Sequence, residues 1–443
     1  MRITYRPLVA MAGVAILAAC GGGSSTSSAT GAASDTAAAS ASASASASAP
    51  APSSSSSALP QRGDADLVVW TDQLKAPAVQ KAAEKFAADN GIKVAVQVIA
   101  TDLQANLVTA NAAGNGPDVF TGAHDWIGNL VQNGSIEPLQ ISADKLSGYE
   151  DVAVKAETYN GKLYALPYGI EALAFYRNTA ISPDAPKTMD DALTAGEAAV
   201  KAGKVTSALN LPVGQNGDAY HMQPILTSMG GYMFGRSAAG DYDPKDLGIG
   251  KEGSIAAAKK IGELGEKGKN ILRRSISGDN NIALFAGGKA AFMISGPWAL
   301  NDVKKGGVKY AVSPIPGFAG QKPAAPFAGV QGFYVASKAK NMTFAQEFVS
   351  NAMNTPEAMT AMYDAASLPP AMKAVQAHAI SAEPSVEVFL AGARTAAPMP
   401  AIPAMQAVWE PLGKAYSAIV GGADPTATMT SAGKTIADAI AKG

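Results

Sequence analysis

Cysteine, histidine and net charge are all scarce in this chain, and each scarcity removes a class of function. Lys and Arg number 35 against 36 Asp and Glu, a formal charge of -1. No basic field is available to hold nucleic-acid phosphates, and no polybasic patch to hold an anionic membrane surface. Cys20 is the single cysteine, which excludes an intrachain disulfide and a thiolate metal cluster. The three histidines, His124, His221 and His378, do not pair at metal-ligand spacing, so neither a metal nor a cofactor is expected. What is abundant is apolar: 47% of the 443 residues are hydrophobic and 16% charged, enough to fill the cores of two lobes.

No apolar run reaches the length of a membrane span. The longest one near the start, Pro7 to Ala19, follows Arg2 and Arg6 and ends Leu17-Ala-Ala-Cys20, which resembles a bacterial lipoprotein signal with its lipobox. That resemblance implies a signal over 1–20 and lipid attachment at Cys20, with more than one acyl chain, as stable anchoring requires. From Gly21 to Arg62 the chain is mainly glycine, serine and alanine, with no apolar side chain larger than alanine before Leu59. Such a segment cannot offset its ordering entropy, so 21–63 is expected to be a disordered tether reaching roughly 35 Å.

The remainder alternates strand and helix. Asp66 to Thr71 reads as a buried strand, Ala76 to Asn90 as a helix stopped at Asn90-Gly91, and 93–98 as the next strand. A helix over 102–113, a strand over 118–120 and a helix over 125–133 continue the pattern of an open α/β sheet, whose ligands sit beyond the carboxyl ends of the strands. A second α/β unit follows, with Thr188 as N-cap of a helix through Gly203, helices near 218–229 and 251–268, and a strand over 290–294 running into Ser295-Gly-Pro-Trp298. A strand of first-unit character returns at 330–336. Helices over 342–354, 356–365 and 426–441 complete the chain.

Catalytic constellations are not found. Ser142-Ala-Asp-Lys145, Ser337-Lys-Ala-Lys340 and Ser431-Ala-Gly-Lys434 have the bare serine-to-lysine spacing of penicillin-recognising enzymes, yet no Ser-Asp-Asn or Lys-Thr-Gly partner accompanies them. Gly433-Lys-Thr435 lacks the earlier glycine of a phosphate loop, since Thr428 stands there. A glycosidase would need two carboxylates at a set separation around a bond. Binding rather than catalysis is expected.

An ordered set of motifs then narrows the class: Leu67-Val-Val-Trp70, Gly114-Asn-Gly-Pro-Asp118, Ala123-His-Asp125, Tyr159-Asn-Gly-Lys-Leu163, Glu171-Ala-Leu173, Pro186-Lys-Thr188, Gly230-Gly-Tyr232, Ser295-Gly-Pro-Trp298 and Met399-Pro-Ala-Ile-Pro403 before Trp409. In order and content, residues 64–443 resemble the maltose/maltodextrin-binding branch of the extracellular solute-binding proteins. The resemblance implies an α/β, two-lobed periplasmic-binding-protein fold, each lobe an open sheet flanked by helices, with a multi-stranded hinge. The expected lobes are 64–170 with 332–378, and 171–326 with 384–443, with crossings near 169–173, 326–332 and 377–384.

It further implies an oligosaccharide held in the interlobe cleft, an ABC permease with a cytoplasmic ATPase as partner, a monomeric body and an extracytoplasmic, lipid-anchored location. Sugar rings present apolar C–H faces and a rim of hydroxyls, which flat aromatics and charged hydrogen-bonding groups recognise. Trp298, Trp409 and Tyr220 match the family's aromatic walls, Asp125 and Glu171 its hydroxyl-accepting carboxylates, and Lys75 a donor in the first loop. Asp72 and Asp218 fall at matching loop positions, Met399 lies beside the aromatic platform, and Trp70 belongs either to core or to cleft. His124 reads as structural. This chain departs from the pattern at Gly122, where an aromatic is usual, at Trp126, usually basic, and at Leu74, usually acidic. One stacking surface is expected to have moved from 122 to 126, and the exact sugar stays open: trehalose, another oligosaccharide or a polyol are alternatives, as is a sensing role.

Overall fold

The computed structural model describes residues 59–238 and 240–442. The expected signal, Cys20 and most of the expected tether lie outside them. By Leu59 the chain already engages the body, earlier than the expected boundary at 63. Leu59, the first large apolar residue, packs against a core cluster. Arg62 then pairs at 2.5 Å with Asp118, a buried carboxylate that also accepts the Val68 and Lys340 backbone N–H groups.

Strands are numbered in chain order: β1 Leu67–Thr71, β2 Val94–Val98, β3 Val119–Ala123, β4 Ile136–Glu137, β5 Thr158–Tyr159, β6 Lys162–Leu163, β7 Ala165–Glu171, β8 Ala174–Asn178, β9 Ser207–Asn210, β10 Phe234–Arg236, β11 Tyr242–Leu247, β12 Ala290–Ser295, β13 Tyr310–Ser313 and β14 Gly329–Ala336. One sheet runs β2-β1-β3-β14-β4, with β7 on the β4 side of β14; β1 to β3 are parallel, and β14 is antiparallel to its neighbours. A second sheet runs β13-β8-β12-β9, with only β12 and β9 parallel. Both sheets are therefore mixed, because β8 and β14 each enter from the other sheet and run against their neighbours, whereas β13 follows β12 through helix Leu300–Gly306.

Local chemistry explains the element ends. Helix Ala76–Asn90 stops where Gly91 takes φ 65°, a left-handed cap. Helix Met189–Lys201 starts on a reciprocal capping box: Thr188 accepts the Asp191 N–H while Asp191 accepts that of Thr188. Both faces of the first sheet are covered. Leu67, Val69 and Val119 face one core; Val68, Trp70 and Phe120 face the other. Trp70 is core, its indole N–H donating to Gln97 at 2.8 Å. A separate core fills the second unit around Phe175, Phe292 and Tyr416.

Two chain segments run from one sheet to the other, at β7 to β8 and at the start of β14. Glu383 pairs with Lys304 of the second unit at 2.6 Å. Helix Val386–Thr395 then packs in a core that both sheets share, with Phe389 6.1 Å from Tyr176 of β8, and its Arg394 holds Glu150, which Gln376 also contacts. A further backbone pairing joins the units: Ala328 bridges Pro398, with its N–H donating to Ala397 at 2.9 Å and its carbonyl accepting from Met399 at 3.1 Å.

His124 fastens this junction. Its Nδ1 accepts the Val330 N–H at 3.1 Å, so Nε2 carries the proton and donates to the Met399 carbonyl, also at 3.1 Å. Burial holds its pKa down, to about 4 from an ordinary 6.5. The ring contributes stability in full above pH 6.5, and the contribution is lost as pH falls toward 4. We expect His124→Gln to cost about 1–3 kcal/mol in urea unfolding at pH 7.5, with the gap to wild type shrinking between pH 6.5 and 4. A gap that is constant with pH would contradict the assignment.

Candidate functional site

The carboxyl ends of β1 and β3 lie side by side, tied by Thr71 and Thr121 hydroxyls 3.0 Å apart. After β1, the Asp72 carboxylate accepts the Leu74 and Lys75 backbone N–H groups at 3.0 and 3.2 Å and pairs with the Lys75 ammonium. After β3, a single turn of 3-10 helix carries His124, Asp125 and Trp126. Asp125 is buried. Trp126 folds back over Gly122: a Cβ there would stand 2.7 Å from its ring. The indole thus occupies the space in which a side chain at 122 would begin.

Glu171 ends β7. Its side chain lies against Gly329, where a Cβ would meet Oε1 at 2.7 Å, and it accepts from Gln331 at 3.3 Å. These neighbours deliver a carboxylate to the hinge with little solvent around it.

The second sheet supplies the opposite wall. β9 and β12 are parallel neighbours, and their carboxyl ends lead to Asp218 and to Trp298. Trp298 packs onto Gly296, whose missing side chain makes room for the ring. Tyr220 tilts against Trp298 with centroids 6.3 Å apart, and His221 stands edge-on to both rings. The Tyr220 hydroxyl is out of contact with solvent and has no hydrogen-bond partner among the described residues. Trp409 opens helix Trp409–Val420. Met399 is packed into the second core, and its carbonyl holds His124.

Electrostatics bring the walls together. Burial raises the Asp125 pKa to about 7, helped by the nearby Glu171 charge and opposed by its own backbone N–H and by the Trp409 side chain. Burial also raises Glu171, against Gln331, Lys75 and His221, which favour its ionised form. Asp125 and Lys75 stand on the first sheet, Trp409 and His221 beside the second, so these influences act between the two units. Helix Ile127–Gln132 closes the side of the junction: Gly128 packs on Ala401 and Pro403 without room for a Cβ.

The structure thus gathers Asp72, Lys75, Asp125, Trp126 and Glu171 at one sheet edge and Asp218, Tyr220, Trp298 and Trp409 at the other. Three further neighbours carry no clear sequence signal. His221 is next in sequence to Tyr220, which is the only hint it offers. Gln331 follows the hinge glycine. Glu157, wholly buried, accepts from the Tyr334 hydroxyl at 2.7 Å and leaves Oε1 unpartnered; burial raises its pKa well above the ordinary value. A glutamate ending a short helix reads as solvated, so no pattern exposes it. Among the described residues no group of three or more His, Cys, Asp or Glu could hold a metal ion, and no helix is long and apolar enough to cross a membrane.

Two α/β units joined by a multi-segment hinge, with acids on one wall and aromatic rings on the other, define a cleft-closing binding protein. The chain belongs to the family described as bacterial extracellular solute-binding protein, whose model matches residues 81–388. It is 29% identical over 387 residues to a galactooligosaccharide-binding protein of Bacillus subtilis, covering 84% of this chain and 88% of that one. It is 29% identical over 357 residues to a maltodextrin-binding protein of the same organism, covering 78% and 83%. A maltooligosaccharide ABC transporter solute-binding lipoprotein of Streptococcus pneumoniae is 28% identical over 354 residues, covering 78% and 82%.

The raised Asp125 pKa has a direct consequence for stability. In the unfolded chain the carboxyl titrates near 3.8, in this fold near 7. Its contribution is therefore present below 3.8 and lost as pH rises through 7. Asp125→Asn, which cannot ionise, should raise the melting temperature of the ligand-free protein relative to wild type more at pH 8 than at pH 4.5. A difference independent of pH would show that the carboxylate is not buried as described.

Proposed function

We propose that this chain is the extracytoplasmic receptor of an ABC sugar importer, binding a maltodextrin-type oligosaccharide between its lobes. The observation that carries the reading is the buried Asp125 with the half-buried Glu171, opposed to Trp298, Trp409 and the unpartnered Tyr220 hydroxyl. A polyhydroxylated, neutral ring satisfies both walls. Its hydroxyls donate to the carboxylates, and its C–H faces lie on the indoles. The names of the relatives support saccharide binding, an ABC transporter and, for one of them, a lipoprotein.

The lobes we propose follow 64–170 and 171–326, with hinge segments at 171–174, 328–330 and 397–399. Sugar binds first to the second-lobe rings, and closure brings Asp72, Lys75, Asp125 and Trp126 to its hydroxyl rim. Closure is favoured only by interactions that the sugar makes in the closed state and lacks in the open one. The body acts as a monomer, held at the membrane through Cys20 and the 21–58 segment, and the closed form docks on a permease. Recognition completes its task, so no catalytic residue is assigned.

A galactooligosaccharide is the second reading, favoured by the name of one relative that covers most of the chain. Calorimetric titration of the body with maltotriose, longer maltodextrins, β-1,4-galactotriose and trehalose separates the two. We expect a saturable response to one oligosaccharide class, and Trp298→Ala or Trp409→Ala to weaken it at least about tenfold, near 1.4 kcal/mol, with the fold retained. Normal affinity in both variants would discard the cleft as the binding site.

A further inference from the structure

Asp218 has both carboxylate oxygens engaged by one residue. Oδ1 accepts the His221 backbone N–H at 2.9 Å, capping helix Ala219–Ser228, and Oδ2 lies 2.7 Å from the His221 ring nitrogen Nδ1. Burial works against ionisation of this carboxylate, but the His221 bond and charge outweigh it, and its pKa is lowered. Asp218 is thus an ionised acceptor spent on orienting an imidazole.

The imidazole is built into the aromatic wall. Its plane stands at 88° to Tyr220 with centroids 5.4 Å apart, and at 89° to Trp298 at 6.0 Å. It also lies close enough to Glu171 to favour that carboxylate's ionised form. With Nδ1 engaged by Asp218, Nε2 is the ring nitrogen left for a ligand hydroxyl, which can both donate and accept. No group among the described residues pairs with Nε2. The adjacent Tyr220 hydroxyl is likewise buried without a partner. Two unpaired polar groups therefore flank the face of Trp298.

We propose that His221 is a ligand-contacting, specificity-determining residue of the cleft, and that Asp218 acts on the ligand through it. This rests on the cleft being a saccharide site. A pyranose lying on Trp298 presents its hydroxyls outward along the ring edge, where Nε2 hydrogen-bonds one and Glu171 accepts from a neighbour. Inverting one carbon turns a hydroxyl out of that plane and leaves Nε2 unpaired in a dry site, the kind of loss that gives polar sites their selectivity. The site accordingly distinguishes gluco- from galacto-configured units of an oligosaccharide.

Calorimetric titration of the folded body with maltotriose and with β-1,4-galactotriose tests this. His221→Phe keeps an aromatic edge against Trp298 and Tyr220 but removes both nitrogens. It should bind the preferred trisaccharide at least about tenfold more weakly and shrink the ratio of the two affinities at least about fivefold. His221→Gln, whose amide can reach the same hydroxyl, should recover part of the loss, and serves if the phenylalanine variant fails to fold. Asp218→Asn added to His221→Phe should cost nothing further, because the carboxylate acts through the ring; additive losses would overturn that link. Unchanged affinities and an unchanged ratio in His221→Phe, while Trp298→Ala loses binding, would overturn the inference and leave the cleft standing. If Trp298→Ala and Trp409→Ala also bind normally, the saccharide site itself has failed.

Discussion

A carboxylate withdrawn from water demands compensation, and this fold withdraws two of them beside each other. The Glu171 charge raises the cost of ionising Asp125 in the dry space they share, and the protein supplies few partners: Gln331, the Asp125 backbone N–H and the Trp409 side chain. Lys75 helps only from a distance, since its ammonium is committed to Asp72. Buried charge of this kind is destabilising unless hydrogen bonds complete it. An external molecule rich in hydroxyl donors would supply them. The aromatic wall opposite gives that molecule an apolar surface to lie on, so both halves of the cleft select for the same amphipathic ring.

Bare backbone is what lets the side chains reach these positions. Trp126 rests on Gly122, Trp298 on Gly296 and Glu171 on Gly329, and in each pair a Cβ on the glycine would collide with the functional side chain. The glycines lie at the ends of strands, where side chains otherwise rise beside one another and would fill the cleft. Trp126 over Gly122 is one instance of the same device: its ring covers the strand end, and aromatic side chains at both 122 and 126 could not be accommodated.

Much of the fold is legible in the sequence because it rests on local signals. The helix over 76–90 has its apolar spacing and Gly91 stop, and the helix after Thr188 has its capping residue. The strands before Trp70 and Trp298 are short, continuous apolar runs. β8, β9 and β13 give no such signal, and the mixed direction of both sheets follows from β8 and β14 entering from the opposite sheet, which leaves no periodic trace. Helix Val386–Thr395 packs in a core that both sheets share, a tertiary placement that its own sequence does not carry. At the site, aromatic and acidic residues within recognisable motifs can be named from the sequence. His221, Gln331 and Glu157 cannot, since their roles depend on Asp218, Glu171 and Tyr334, the last of these 177 residues away from Glu157 in the chain.

The most direct test is a crystal structure of the tether-free body grown with a bound trisaccharide. The account predicts pyranose rings against Trp298 and Trp409 with hydroxyls donating to Asp125 and Glu171, in a cleft closed on the ligand. A saccharide bound elsewhere, or a cleft occupied without contact to either carboxylate, would contradict it.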